Sequence, residues 1–263
     1  MPNTSGSGIV YIQMKTDRAL EHLNSLNREV DTFVNDNPHT FKGKDDLKNA
    51  RYVHRIEYKA FPPILGMLLG EFIYSLRSGL DQLAWQLALL KTDKPGREVK
   101  FPIFYRKDRA YETSLKPFTK PVKDAIDCLQ PYHAGKSFQD HPLWQLNRLS
   151  NLDKHQVIPI NSTGVNVFIP TLDLSQVTTV DFDDAIEFHV PLSLKDEMQR
   201  QPFTTSQILL GEWGSDLQMP RSVLAEMHKF ITDEVIPRFT GFFSSSAKTA
   251  LPRSRVSVVK RHG

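Results

Sequence analysis

Cysteine is nearly absent from this chain: Cys128 stands alone in 263 residues. That excludes an internal disulfide framework and fits a reducing compartment. Its place before Leu129 in a helical pattern predicts a buried small side chain rather than a reactive thiol. Long hydrophobic runs are missing too. The most apolar stretch, Pro62 to Leu69, soon meets Glu71 and Arg77 and is too short to span a membrane. The start, Met1 to Gly8, is polar and has no apolar core of the kind a secretory signal needs. A cytoplasmic protein with no membrane partner is the expectation.

The usual chemical signatures are lacking as well. There is no H-E-x-x-H and no paired-cysteine spacing, so the nine histidines suggest no metal site. Gly43-Lys44 and Gly135-Lys136-Ser137 lack the upstream glycine of a phosphate-binding loop, and no G-x-S-x-G elbow occurs. No cofactor is predicted. Strong charge bias is also absent. The net charge is +3, but Lys248, Arg253, Arg255, Lys260 and Arg261 fall after Ser244, leaving the rest at about −2. A dedicated duplex-DNA binder is not indicated by such a body. The basic end itself reads as a flexible tail over 244–263, with contact to a polyanion as the alternative.

What is present is a set of amphipathic segments. With 40% hydrophobic residues, the chain can bury a large core. Residues 9–35 predict a first helix, with Ile12, Leu20, Leu23, Leu26, Val30, Phe33 and Val34 at helical spacing. Residues 51–59 alternate as a strand with Tyr52, His54, Ile56 and Tyr58 on one face. A long helix runs from Phe61-Pro62-Pro63 to about Lys91; Gly66 and Gly70 on it would let a neighbour approach closely. After a loop holding Val99 to Ile103, helices are expected at 107–114, 119–129 and 140–154. Strands follow near 164–169, 177–182, 186–191 and 204–213, and a last helix from Pro220 to about Phe239. The fold class is α+β: a bundle of about five helices, a small, mainly antiparallel sheet, and a closing helix. The expected organisation is a leader over 1–8, one domain over 9–243 (helical to 155, sheet and last helix over 156–243), and the tail.

Two helix faces are candidates for function. On the long helix, Leu69, Phe72, Ile73, Leu76, Leu80, Leu83 and Leu87 share one side at about 100° per residue. The other side holds Glu71, Tyr74, Ser75, Ser78, Asp81, Gln82 and Trp85, with Arg77 at the border. Short hydroxyls, carboxylates, an amide and amphipathic aromatics suit a pocket lining or a helix interface better than a solvated surface. On the fifth helix, His141, Trp144, Arg148, Asn151 and His155 recur at steps of three and four and form a second stripe. These stripes are expected to meet. They would then form either a pocket for a small polar ligand, a hydrogen-bonded network joining the helices, or half of a homodimer interface. Arg77 and Asp81 are also spaced for an intrahelical ion pair.

Four blocks carry a resemblance: Gly70 to Trp85, Phe101-Pro102-Ile103, Gln130-Pro131-Tyr132, and Leu146 to His155. In this order they resemble a broad bacterial protein group. Its long helix reads G-D/E-x-x-H-N-L-R-S-A-L-D-H-L-A-W, followed by F-P-I, Q-P-Y and L-x-x-L-S-N-x-D-K-H. Tyr74 and Ser75 replace the pattern's His-Asn, and Gln82 its next histidine. The resemblance implies kinship and brings no activity with it. Arg148 and His155 are in addition similar to the R-x4–6-H signature of HEPN-type ribonucleases, which are compact helical bundles, often dimeric, in toxin and defence systems. That resemblance implies RNA as partner, with Arg148 clamping a phosphate and His155 moving a proton. Leu149 departs from the polar residue that family tends to carry there. A non-catalytic binding module ranks slightly ahead of the ribonuclease, because both histidines of the pattern on the long helix are replaced, by Tyr74 and Gln82.

Overall fold

The computed structural model describes residues 5–36, 39–154, 158, 160–168, 174–182, 185–199, 203–210 and 219–246. Its first helix, α1 (Ser5–Asn35), buries Ile12, Ala19, Leu23, Leu26, Val30 and Phe33. It begins four residues earlier than the sequence suggests, so Ser5 to Gly8 belong to the helix rather than to a leader. Leu20 and Val34, expected in the apolar stripe, are exposed, because Ala19 and Leu23 hold the inward positions around the first and Val30 and Phe33 those around the second.

A hairpin of β1 (His39–Asp46) and β2 (Arg51–Tyr58) follows. The long helix α2 (Pro63–Leu89) has a single buried face of Leu65, Leu69, Phe72, Ile73, Leu76, Leu80, Leu83 and Leu87. Two short helices, α3 (Arg109–Ser114) and α4 (Lys120–Asp127), lead into 3-10 turns over Pro131–Asp140 and then α5 (Pro142–Asp153). Cys128 caps the end of α4 and is exposed, not buried as its neighbour Leu129 suggests; the helix stops there and its apolar face stops with it.

The remaining strands are β3 (Ile160–Phe168), β4 (Thr178–Asp181), β5 (Ala185–Pro191), β6 (Phe203–Leu210) and β7 (Met219–Pro220), with α6 (Lys195–Gln199) between β5 and β6. They form two antiparallel sheets, of order β1-β2-β5-β4 and β3-β6-β7. The hairpin that precedes α2 is thus half of the larger sheet, a pairing across the sequence that a helices-then-sheet reading does not anticipate. The register slips between Thr163 and Asn166, which makes the segment around Gly164 a bulge. The expected strand to Trp213 ends at Leu210; its remainder lies outside the described residues.

The closing helix is made of α7 (Ser222–Phe230), one π turn over Ile231–Val235, and α8 (Ile236–Ser246). Within the π turn Ile236 N–H bonds Ile231 O, and Pro237 follows at once with no N–H to offer. A wider turn at this point absorbs the missing donor. The tail beyond 246 lies outside the described residues.

The chain divides into two compact units. One comprises 1–18, 75–147 and 227–263, and the other 19–74 and 148–226. Helices are shared between the units, so no linker-like composition marks the division.

Candidate functional site

In the helical unit the charged pair of α2, Arg77 and Asp81, is spent on the chain itself. Arg77 pairs with Asp81 at 2.8 Å, the intrahelical pair that their spacing suggests. Arg77 Nη2 donates to the Phe101 carbonyl at 3.0 Å, and Asp81 Oδ1 accepts the Phe101 N–H at 2.9 Å. One residue of the loop, Phe101, is therefore held at both its N–H and its carbonyl. Gln130 continues the hold. It is fully buried, accepts the Phe104 N–H at 2.9 Å, and donates through Nε2 to the carbonyls of Pro102 and Ile126 at 3.0 and 3.1 Å. The segment 101–104 forms no sheet ladder, so these side chains supply the partners its backbone would otherwise lack. Phe101 then packs edge-on against Phe239 of α8, with centroids 6.1 Å apart.

Next to this latch, Asp127 accepts from the hydroxyls of Tyr111 at 2.7 Å and Tyr132 at 2.5 Å, and pairs with Lys107 at 3.1 Å. Burial alone would raise the Asp127 carboxyl; the two hydroxyls and the ammonium outweigh it and bring it down to about 2. Tyr132 is pushed up to about 12, first by burial and then by the Asp127 charge. Ser78, Gln82 and Trp85 are half-buried on the same part of α2.

The stripe expected on α5 does not act as one surface. His141 accepts the Leu143 N–H at 3.2 Å at the helix start and stacks edge-on with Phe230. Trp144 packs on Phe138. Arg148 and Asn151 are exposed, and Asn151 is bonded by Lys154. His155 lies outside the described residues.

The other unit contains a cavity of about 670 Å³. It is lined by Phe61, Pro62 and Pro63 at the start of α2, by Gly66, Met67 and Gly70 further along that helix, and by Ile158. Among the described residues three polar ones line it: Glu71, Tyr74 and Asp153. Prolines at the start of α2 cost no hydrogen bond, since those N–H groups have no helical partner. Phe61 is braced by Phe33 of α1, with centroids 4.8 Å apart. Asp153 lies flat against the α2 backbone: a Cβ on Gly70 would come within 2.6 Å of its Oδ1. Here the side-chain-free position expected to admit a neighbour admits a carboxylate. Burial pushes the Asp153 carboxyl up, and no hydrogen bond or ion pair to another described residue opposes that shift. Glu71 is backed by His22 of α1, whose Nε2 lies 3.2 Å from Glu71 Oε2, close enough for an ion pair but without hydrogen-bond geometry.

Thus Glu71 and Tyr74 from the α2 stripe reach the cavity together with Asp153 of α5, while Arg148 and Asn151 do not line it. Neither Asp153 nor His22 is among the candidate residues that the sequence suggests. The signal for Asp153 is the close-packing glycine at 70, whose missing Cβ leaves room for its carboxylate. Among the described residues no three His, Cys, Asp or Glu side chains are placed to hold a metal ion, and no helix is long and apolar enough to cross a membrane. Comparison with protein-family models, with curated proteins and with solved structures finds no match to this chain.

Proposed function

We propose that this protein is a ligand-binding module and that the cavity along the first half of α2 is its binding site. The observation that carries this reading is the convergence of Gly70, Glu71, Tyr74 and Asp153 from two separate helices on one cavity of about 670 Å³. That volume falls in the range of small-molecule sites, and the mix of an apolar wall with a few fixed polar groups is what such sites use. The latch around Arg77, Asp81 and Gln130 supports the assignment by elimination, since those polar groups already bond the backbone. The test is a small-molecule fragment screen by thermal shift, repeated on Met67→Trp. Met67 is 55% exposed at the cavity, so a larger side chain there blocks the space without touching the core. Hits should lose binding in the variant. Hits that bind both proteins equally, or an absence of hits, would overturn the reading.

The second reading, an RNA-cleaving or RNA-binding protein using Arg148 and His155, is favoured by the exposure of Arg148 on α5. Purified protein incubated with total RNA beside a His155→Ala variant tests it. Cleavage lost with the histidine would support the ribonuclease, and equal behaviour of the two proteins would remove it.

A further inference from the structure

We propose that the cavity takes an organic cation, a protonated amine or guanidinium carried on an apolar body. The inference rests on the binding-module reading and narrows it to a chemical class. Among the described residues the charged groups on the cavity wall are Glu71 and Asp153, both acidic, and no Lys or Arg lines it. Nearby cations are turned to other partners. Lys154 donates to Asn151 at 3.2 Å, and Lys59 lies over the Phe33 ring. An anionic ligand would meet two carboxylates with no lysine or arginine beside them among the described residues. A neutral apolar ligand would complete the desolvation of Asp153 and return nothing for it.

A cation changes the sign of that exchange, because a buried charge becomes acceptable when an opposite charge reaches it. Asp153 is the stronger anchor of the two: it has no partner among the described residues, whereas Glu71 already faces His22. Its position against Gly70 also fixes the carboxylate, so little ordering is required on binding. Phe61 and Tyr74 offer aromatic surface of the kind that attracts ammonium and guanidinium groups, and Met67 with the prolines gives the apolar body its contact.

The experiment uses three probes that share an indole body and differ in charge: tryptamine, tryptophol and indole-3-acetate. Binding to the full chain is measured by calorimetry at neutral pH for wild type, Asp153→Asn, Glu71→Gln and Met67→Trp. Tryptamine should bind best to wild type, and Asp153→Asn should weaken it by roughly tenfold or more, as expected for loss of a partly desolvated charge partner. Glu71→Gln should weaken it less. Tryptophol should be indifferent to Asp153→Asn, or gain from it. Melting curves keep the result interpretable: burial disfavours the ionised Asp153 side chain, so Asp153→Asn should melt no lower than wild type. Tryptophol or indole-3-acetate binding wild type as tightly as tryptamine, with all of it lost in Met67→Trp, would overturn the cation while leaving the cavity as a binding site. No binding by any of the three would overturn both.

Discussion

Replacing Gln130 by alanine should be among the most damaging single changes in the helical unit. The side chain is fully buried and holds three backbone groups: the Phe104 N–H, the Pro102 carbonyl and the Ile126 carbonyl. The last of these keeps a second partner, because Leu129 N–H also bonds Ile126 O at 3.1 Å. Two groups are therefore orphaned, each at about 1–3 kcal/mol when buried, and the vacated volume adds to that. The expected loss is about 3–5 kcal/mol in urea denaturation, with much faster hydrogen exchange at the Phe104 amide. Gln130→Glu separates hydrogen bonding from volume. It keeps an acceptor for Phe104 but sets a carboxylate oxygen against the Pro102 carbonyl, so its proton should be held to unusually high pH. Its deficit relative to wild type should consequently shrink as pH falls, since the protonated acid can donate where the amide did. A cost below about 1 kcal/mol for Gln130→Ala, with the Phe104 amide still protected, would refute the latch.

Three further outcomes follow from the same contacts. Gly70→Ala should destabilise by about 1–3 kcal/mol although alanine favours a helix, because its Cβ would displace the Asp153 carboxylate; combining it with Asp153→Ala in a double-mutant cycle should recover most of the loss. His54 is buried beside Phe41 and Tyr52 with neither ring nitrogen bonded, and burial holds it below the ordinary histidine range. The folded chain thus resists a proton that the unfolded chain accepts, so stability should fall as pH drops below about 6.5, and His54→Leu should flatten the melting temperatures between neutral pH and mildly acidic pH. Asp127 is depressed to about 2, so its cluster stabilises the fold above the ordinary carboxylate range and loses that effect as pH falls through about 2. Tyr132→Phe removes one of its donors and should move the acid unfolding limb to higher pH; an unmoved limb would show that the cluster contributes nothing.

The long helix was legible because its buried residues keep helical spacing over its whole length and its start carries prolines. Legible for the same reason was the Arg77–Asp81 pair, a purely local relation. β1 was not, since every residue whose side chain is described from Thr40 to Asp45 is exposed and the strand shows no alternation; as an edge strand it carries Lys42, Lys44 and Asp45 instead. Its presence shows only in its partner. Gly43 stands opposite His54 and beneath Tyr52, whose hydroxyl would strike a Cβ there. The cavity was half legible. Glu71 and Tyr74 stand out as polar on a helix of high apolar content, but Asp153 is about eighty residues further along the chain, and only the close approach at Gly70 joins them.

The polar face of α2 therefore has two separate uses, and position along the helix decides between them. Past Ser75, Arg77 and Asp81 have donors and acceptors facing them at 2.8 to 3.0 Å, so a ligand reaching them would have to displace the Phe101 backbone. Before Ser75, Glu71 and Tyr74 face a cavity, and the neighbouring Asp153 has no protein partner among the described residues. Of the polar residues on this helix, Tyr74 falls on the cavity wall and Gln82 does not. A histidine at 74 would bring a group that gains charge near neutral pH and would repel a cation in its protonated form. Tyrosine removes that charge and adds aromatic surface. Tyr74→His should accordingly weaken tryptamine at pH 6 more than at pH 8, whereas a cavity indifferent to charge would show the same change at both.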